Sequence, residues 1–114
     1  MSIHPNSVTS ETGDGYVLVR LGGEVDLSWS QEVRRAVLDA LAGANVVGVE
    51  LSAVSYIDSS GIAALVEGFQ QARTRGKRFV LVATSDPVRA VLELARLDRV
   101  FQLVPGVDAL IATA

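Results

Sequence analysis

Apolar positions follow two different rhythms along this chain. Tyr16-Val17-Leu18-Val19-Arg20-Leu21 is rich in β-branched and aromatic residues and predicts a strand that stops at Gly22-Gly23. Residues 7–11 read as a short edge strand before it. Thr12-Gly13-Asp14-Gly15 joins the two as a hairpin, because Gly and Asp tolerate positive φ and local side-chain bonding. The period then changes. Val33, Ala36, Val37, Ala40 and Leu41 recur at helical spacing and form one stripe of a helix that ends at Gly43, with Ser28 and Ser30 as candidate caps. Residues 46–51 are almost continuously apolar, the pattern of a strand buried on both faces. Residues 52–57 lead from it into the loop Asp58-Ser59-Ser60-Gly61. Ile62, Leu65, Val66, Phe69 and Ala72 stripe a second helix that reaches about Arg75 and is ended by Gly76. Arg78–Val82 is a third strand of the buried type. Asp86 as cap and Pro87 at the first helical position open a helix striped by Val88, Val91, Leu92 and Ala95. Residues 100–104 form a last short strand, Pro105-Gly106 breaks it, and residues 107–113 form a terminal helix.

Strands alternating with helices of these lengths imply an α/β fold: one small mixed sheet of about five strands covered by about four helices. Residues 1–6 are expected to be a flexible N-terminus and residues 7–114 one domain. The length of 114 residues suits a single modest core. With 49% hydrophobic residues and a net charge of -3, the chain is not of the disordered type. No stretch approaches the roughly 18 apolar residues of a membrane span, so no membrane insertion is expected. The start Met-Ser-Ile-His-Pro lacks the basic region and apolar run of a signal peptide, which predicts a cytoplasmic location.

Chemistry is constrained by what is missing. With no cysteine there is no disulfide, thiolate metal site or cysteine nucleophile. The one histidine, His4, sits in a polar N-terminal stretch, far in sequence from any candidate nucleophile. Neither a metal nor a cofactor is therefore expected. The acidic balance argues against direct nucleic-acid binding, which needs a basic patch. Charge is also uneven: residues 1–60 carry three arginines and eight acids, whereas residues 61–114 carry seven bases and five acids.

In an open α/β sheet, functional loops lie beyond the carboxyl ends of the strands. Three qualify, at residues 23–29, 58–61 and 84–87. Asp58-Ser59-Ser60-Gly61 is the most unusual, with a carboxylate, two hydroxyls and a glycine where a helix begins. A plain helix cap is the bland alternative, since Asp and Ser are common caps. A cap needs only one such side chain, however, and three in a row leave hydroxyls to spare. A phosphoserine is well placed there, because the first-turn N–H groups and the helix dipole favour an anion. A serine hydrolase fits poorly: no base is at hand and the Gly-x-Ser-x-Gly elbow is absent. A P-loop lacks its Gly-Lys-Ser/Thr end. A phospho-aspartate receiver reading of Asp58 lacks the acidic pair after the first strand and the lysine after a later one.

Gly23-Glu24-Val25-Asp26, then a helix, then the strand at 46–51, then Tyr56-Ile57-Asp58-Ser59-Ser60-Gly61-Ile62 resemble the STAS domain, and more narrowly the bacterial anti-sigma factor antagonists. The likeness continues through Gly76-Lys77-Arg78-Phe79-Val80-Leu81, Ser85-Asp86-Pro87-Val88 and Leu97-Asp98-Arg99-Val100-Phe101, and spans about residues 15–104. The resemblance implies a partner switch. Unphosphorylated antagonist binds an anti-sigma factor that is also a serine kinase of histidine-kinase-like ATPase fold, and sigma factor is freed. Phosphorylation releases the antagonist, and a PP2C-type phosphatase resets it. The implied phosphoacceptor is Ser59, with Ser60 as second choice. The implied partner surface comprises Glu24, Asp26 and Trp29 of the first loop, Asp58, Ser59, Ser60 and Gly61 of the second, and Ser85 and Asp86 of the third. Trp29 stands where a smaller or more polar side chain is expected, and is either a local core residue or an interface anchor. The resemblance also implies a non-enzyme that is a monomer when free. The alternative is a STAS docking subunit of a lipid-transport ABC complex or a sensory complex, without a phosphorylation cycle.

Overall fold

The computed structural model describes residues 6–112. The order is β1 (Ser7–Thr12), β2 (Tyr16–Val25), α1 (Ser30–Gly43), β3 (Val46–Ile57), α2 (Ser59–Thr74), β4 (Arg78–Val82), α3 (Asp86–Leu94), a 3-10 turn (Leu97–Arg99), β5 (Gln102–Val104) and α4 (Val107–Ile111). The five strands form one sheet in the order β1-β2-β3-β4-β5. β1 and β2 are the expected antiparallel hairpin, and every later neighbour is parallel.

That order decides the layering. Parallel strands laid down in sequence order need crossovers of one hand, so successive helices fall on the same face. α1, α2 and α3 accordingly share one core with Val17, Val19 and Leu21 of β2, Val47, Val49 and Leu51 of β3, and Phe79 and Leu81 of β4. The alternate residues of the same strands point the other way. Leu18, Val46, Val80 and Val82 form a smaller cluster closed by Leu110 of α4. Leu110 lies so close over Gly48 that a Cβ at 48 would come within 2.5 Å of it. Elsewhere on that face Arg20 lies between Glu11 (2.6 Å) and Glu50 (2.9 Å). Residues 46–51 of β3 are buried throughout, as their unbroken apolar run predicts.

Several boundaries differ from the sequence reading, each for a tertiary reason. Gly22-Gly23 does not stop β2. Gly23 takes φ +82°, and the register against β3 shifts around it, so the strand absorbs the glycines as an irregularity and runs on to Val25. Residues 52–57 belong to β3 rather than to a connection, because the lengthened β2 is there to pair with them. Neither Ser28 nor Ser30 caps α1. The Ser28 hydroxyl donates to Asp26 and that of Ser30 to the Leu27 carbonyl, while Trp29 holds the cap position without a side-chain bond. Ser85 caps α3 in place of Asp86, which is the first helical residue ahead of Pro87. Ala95 is exposed as the residue capping the carboxyl end of α3. On α2 the buried face is Gly61, Ala64, Leu65, Gly68 and Ala72, and Ile62, Val66 and Phe69 pack partly buried beside it. The last strand begins at Gln102, since Val100 follows the 3-10 turn. α4 ends at Ile111 with Ala112 as the capping residue, and Thr113 of the expected extension, like residues 1–5 of the expected flexible N-terminus, lies outside the described residues.

Candidate functional site

β2 and β3 run past the end of β4 together and finish in register, with Val25 opposite Ile57. The next residue on each strand is an aspartate, so Asp26 and Asp58 emerge side by side at the carboxyl end of the sheet. The Asp58 N–H donates to the Val25 carbonyl (3.2 Å) and ties the two exits together.

Each aspartate then builds the same turn. Asp58 Oδ1 accepts from the Ser60 N–H (2.9 Å), the Ser60 hydroxyl (2.5 Å) and the Gly61 N–H (3.2 Å), which caps α2. Asp26 Oδ1 accepts from the Ser28 N–H (3.0 Å) and the Ser28 hydroxyl (2.6 Å). Asp-x-Ser is thus repeated, and the middle residue of each turn is exposed: Leu27 in the first, Ser59 in the second. The hydrogen bond from the Ser60 hydroxyl holds the Asp58 carboxyl below the usual carboxylate range; burial opposes it, and the backbone N–H groups of Gly61, Ser60 and Leu27 add to the lowering.

The two hydroxyls of the loop differ. That of Ser60 is committed to Asp58, whereas Ser59 is exposed at the start of α2 with no hydrogen bond from its side chain among the described residues. Gly61 is present for space: a Cβ there would lie 2.8 Å from the Val25 carbonyl oxygen and 2.7 Å from Ile57 Cγ1. The close approach seats the first turn of α2 directly on the ends of β2 and β3.

The remaining expected residues divide. Glu24 is exposed beside Asp26 and opposite Tyr56, itself half exposed. Trp29 is half-buried and packs against the main core, with its indole N–H buried and unpartnered. Ser85 and Asp86 stand apart from the twin turns. The Ser85 hydroxyl donates to the Val54 carbonyl (2.6 Å), three residues short of the end of β3, and no hydrogen bond or ion pair among the described residues joins either of them to residues 24–29 or 58–61. A groove of about 240 Å³ opens between α1 and α2 beside the loop, with Leu27, Gln31 and Arg34 on one wall and Ser60, Ala63 and Glu67 on the other. The ion pair of Arg34 and Glu67 (2.7 Å) crosses it and draws the Glu67 carboxyl below its ordinary value.

Two residues of this region have no place in the sequence reading. Leu27 was legible only as the second instance of Asp-x-Ser after a strand. Asn6 gives no local signal at all: its Oδ1 accepts from the Glu24 N–H (2.8 Å), and its backbone lies over Gly23. Among the described residues no three His, Cys, Asp or Glu side chains are grouped to hold a metal ion, and no helix is long and apolar enough to cross a membrane.

Fold and loop together define a small α/β module that displays a free serine at the head of a helix. The chain belongs to the STAS domain family, whose profile matches residues 7–110. It is 31% identical over 110 residues to a Mycobacterium tuberculosis protein assigned as an anti-anti-sigma factor, covering 91% of this chain and 74% of that protein. It is 28% identical over 102 residues to the anti-sigma-F factor antagonist RsfB of the same species, covering 87% and 83%. In three dimensions it resembles the crystal structure of an anti-sigma factor antagonist from Mycobacterium paratuberculosis, with a TM-score of 0.86, 24% identity and coverage of 96% and 93%.

Proposed function

We propose that this chain is an anti-sigma factor antagonist switched by phosphorylation of Ser59. In this reading the unphosphorylated form binds an anti-sigma factor that is also a serine kinase of histidine-kinase-like ATPase fold, and sigma factor is released. Phosphate on Ser59 ends the binding, and a PP2C-type phosphatase restores it. The protein acts in the cytoplasm, is a monomer when free, and is a substrate of the kinase rather than an enzyme. Family membership and the names of the relatives support the antagonist role. The observation that carries the site is the contrast between the free, exposed hydroxyl of Ser59 and the committed hydroxyl of Ser60.

Physical chemistry supports the switch. A phosphate adds roughly -1.5 to -2 charges. The N-terminus of α2 tolerates an anion within the fold. Asp58, Asp26 and Glu24 already lie at the same end of the sheet, so the added charge builds on an acidic surface. Against a partner shaped for a neutral serine, such a charge is desolvated without a counter-ion, at a cost on the order of several kcal/mol. Glu24, Asp26, Trp29, Asp58, Ser60 and Gly61 belong to the partner surface in this reading, with Ser85 and Asp86 at its margin. Ester hydrolysis by Ser59 has no support, because the nearest carboxylate, Asp58, is engaged by Ser60 and backbone N–H groups.

The test uses the histidine-kinase-like anti-sigma factors of the source organism, purified and incubated in turn with this protein and ATP. One of them should transfer a single phosphate that maps to Ser59, and Ser59→Ala should abolish transfer. Full stoichiometry in Ser59→Ala would remove the assignment.

A further inference from the structure

Leu27 is 75% exposed at the tip of the turn paired with the Ser59 turn. A single exposed leucine is ordinary on a protein surface. What distinguishes Leu27 is its frame. The Asp26 carboxylate closes the turn on both the N–H and the hydroxyl of Ser28. The Asp26 carbonyl accepts from the N–H groups of Trp29 (3.0 Å) and Ser30 (2.8 Å), and the ring of Trp29 is packed on the core. The side chain is therefore held outward by a fixed backbone, and its burial in a complex requires little further ordering of the turn. The parallel register and the Asp58 N–H bond to Val25 set this tip beside the Ser59 tip, and Leu27 also lines the groove that Ser60 lines.

We propose that Leu27 is the apolar anchor of the partner surface, seated in an apolar socket on the anti-sigma factor next to the position that reads Ser59. This rests on the antagonist reading above. The two tips divide the work. Leu27 supplies affinity by burying a side chain that folding leaves in water, and Ser59 supplies control by its charge. The partner must then carry an apolar pocket adjoining the kinase site that receives the serine.

The experiment titrates wild type, Leu27→Ala, Leu27→Met, Leu94→Ala and Ser59→Ala against each purified histidine-kinase-like anti-sigma factor of the source organism, and records Tm for each variant. Burying one leucine side chain corresponds to about 10- to 100-fold in Kd. Leu27→Ala is expected to lose that much at unchanged Tm and to raise KM for phosphorylation more than it lowers kcat. Leu27→Met is expected to recover most of the affinity. Leu94→Ala, a control at an 88% exposed leucine on α3, should bind as wild type does. Wild-type affinity in Leu27→Ala, while Ser59→Ala binds and is not phosphorylated, overturns the anchor and leaves the antagonist reading standing. Failure of the wild type to bind any of these anti-sigma factors overturns both.

Discussion

A single oxygen organises the site. Asp58 Oδ1 takes three hydrogen bonds, and those bonds leave Ser60 occupied and Ser59 free. Because the folded state favours the ionised carboxylate, its pKa is depressed, and the stability it provides is fully present above the unfolded carboxyl value of about 4 and lost as pH falls through the depressed folded value. Asp58→Ala should therefore unfold a few degrees below wild type at pH 7, and the gap in Tm should close as the pH is lowered below about 4. Thermal melts followed by circular dichroism across that range check it, and a gap independent of pH would assign the effect to packing. The aspartate cap was legible from residue types alone, because an N-cap is a local bond within four residues. The exchange of Asp86 for Ser85 was not. Both are good caps, and the choice follows from the bond between the Ser85 hydroxyl and Val54 on another strand.

Elements were legible where their own periodicity determined burial, and misjudged where a neighbour did. The stripe of α1 predicted its buried face from spacing alone, and Val33, Val37, Ala40 and Leu41 are buried. On α2 size mattered more than hydrophobicity: glycines and alanines face the sheet, and larger side chains flank them. α4 is short but contributes a core residue. Its five residues are the helix closing the second face of the sheet, and Leu110 is fully buried there between Leu18 and the β4 valines. Leu110→Ala should lower the unfolding free energy by about 2–5 kcal/mol. Leu94→Ala should change it by less than about 0.5 kcal/mol. Urea denaturation of the two variants compares them directly, and equal effects would mean that α4 does not close a core.

At the scale of the molecule, charge separates from fold. Glu24, Asp26 and Asp58 gather at the carboxyl end of β2 and β3, while Glu11 and Glu50 are spent on Arg20 along the strands. The net charge of -3 thus says little by itself. What matters is that a phosphate would fall on the end that is already acidic. Ser59→Asp should keep the wild-type Tm, because a helix N-terminus accepts an anion, and should weaken anti-sigma factor binding by at least about tenfold. Calorimetric titration alongside a thermal melt separates the two effects. Affinity and Tm falling together would assign the loss to unfolding.

The sequence by itself determined the α/β class, the hairpin followed by parallel units, the buried face of α1, the loop of Asp58 to Gly61 and, through its motifs, the STAS family. These are local matters, set by period, caps and short motifs. Only the tertiary structure decided that β2 and β3 outrun β4, that Asp26 and Asp58 leave the sheet side by side, and that two Asp-x-Ser turns present Leu27 and Ser59 together. Those features depend on register between strands 30 residues apart. Register is chosen by the packing of both faces of the sheet and the irregularity at Gly23, which no single segment encodes.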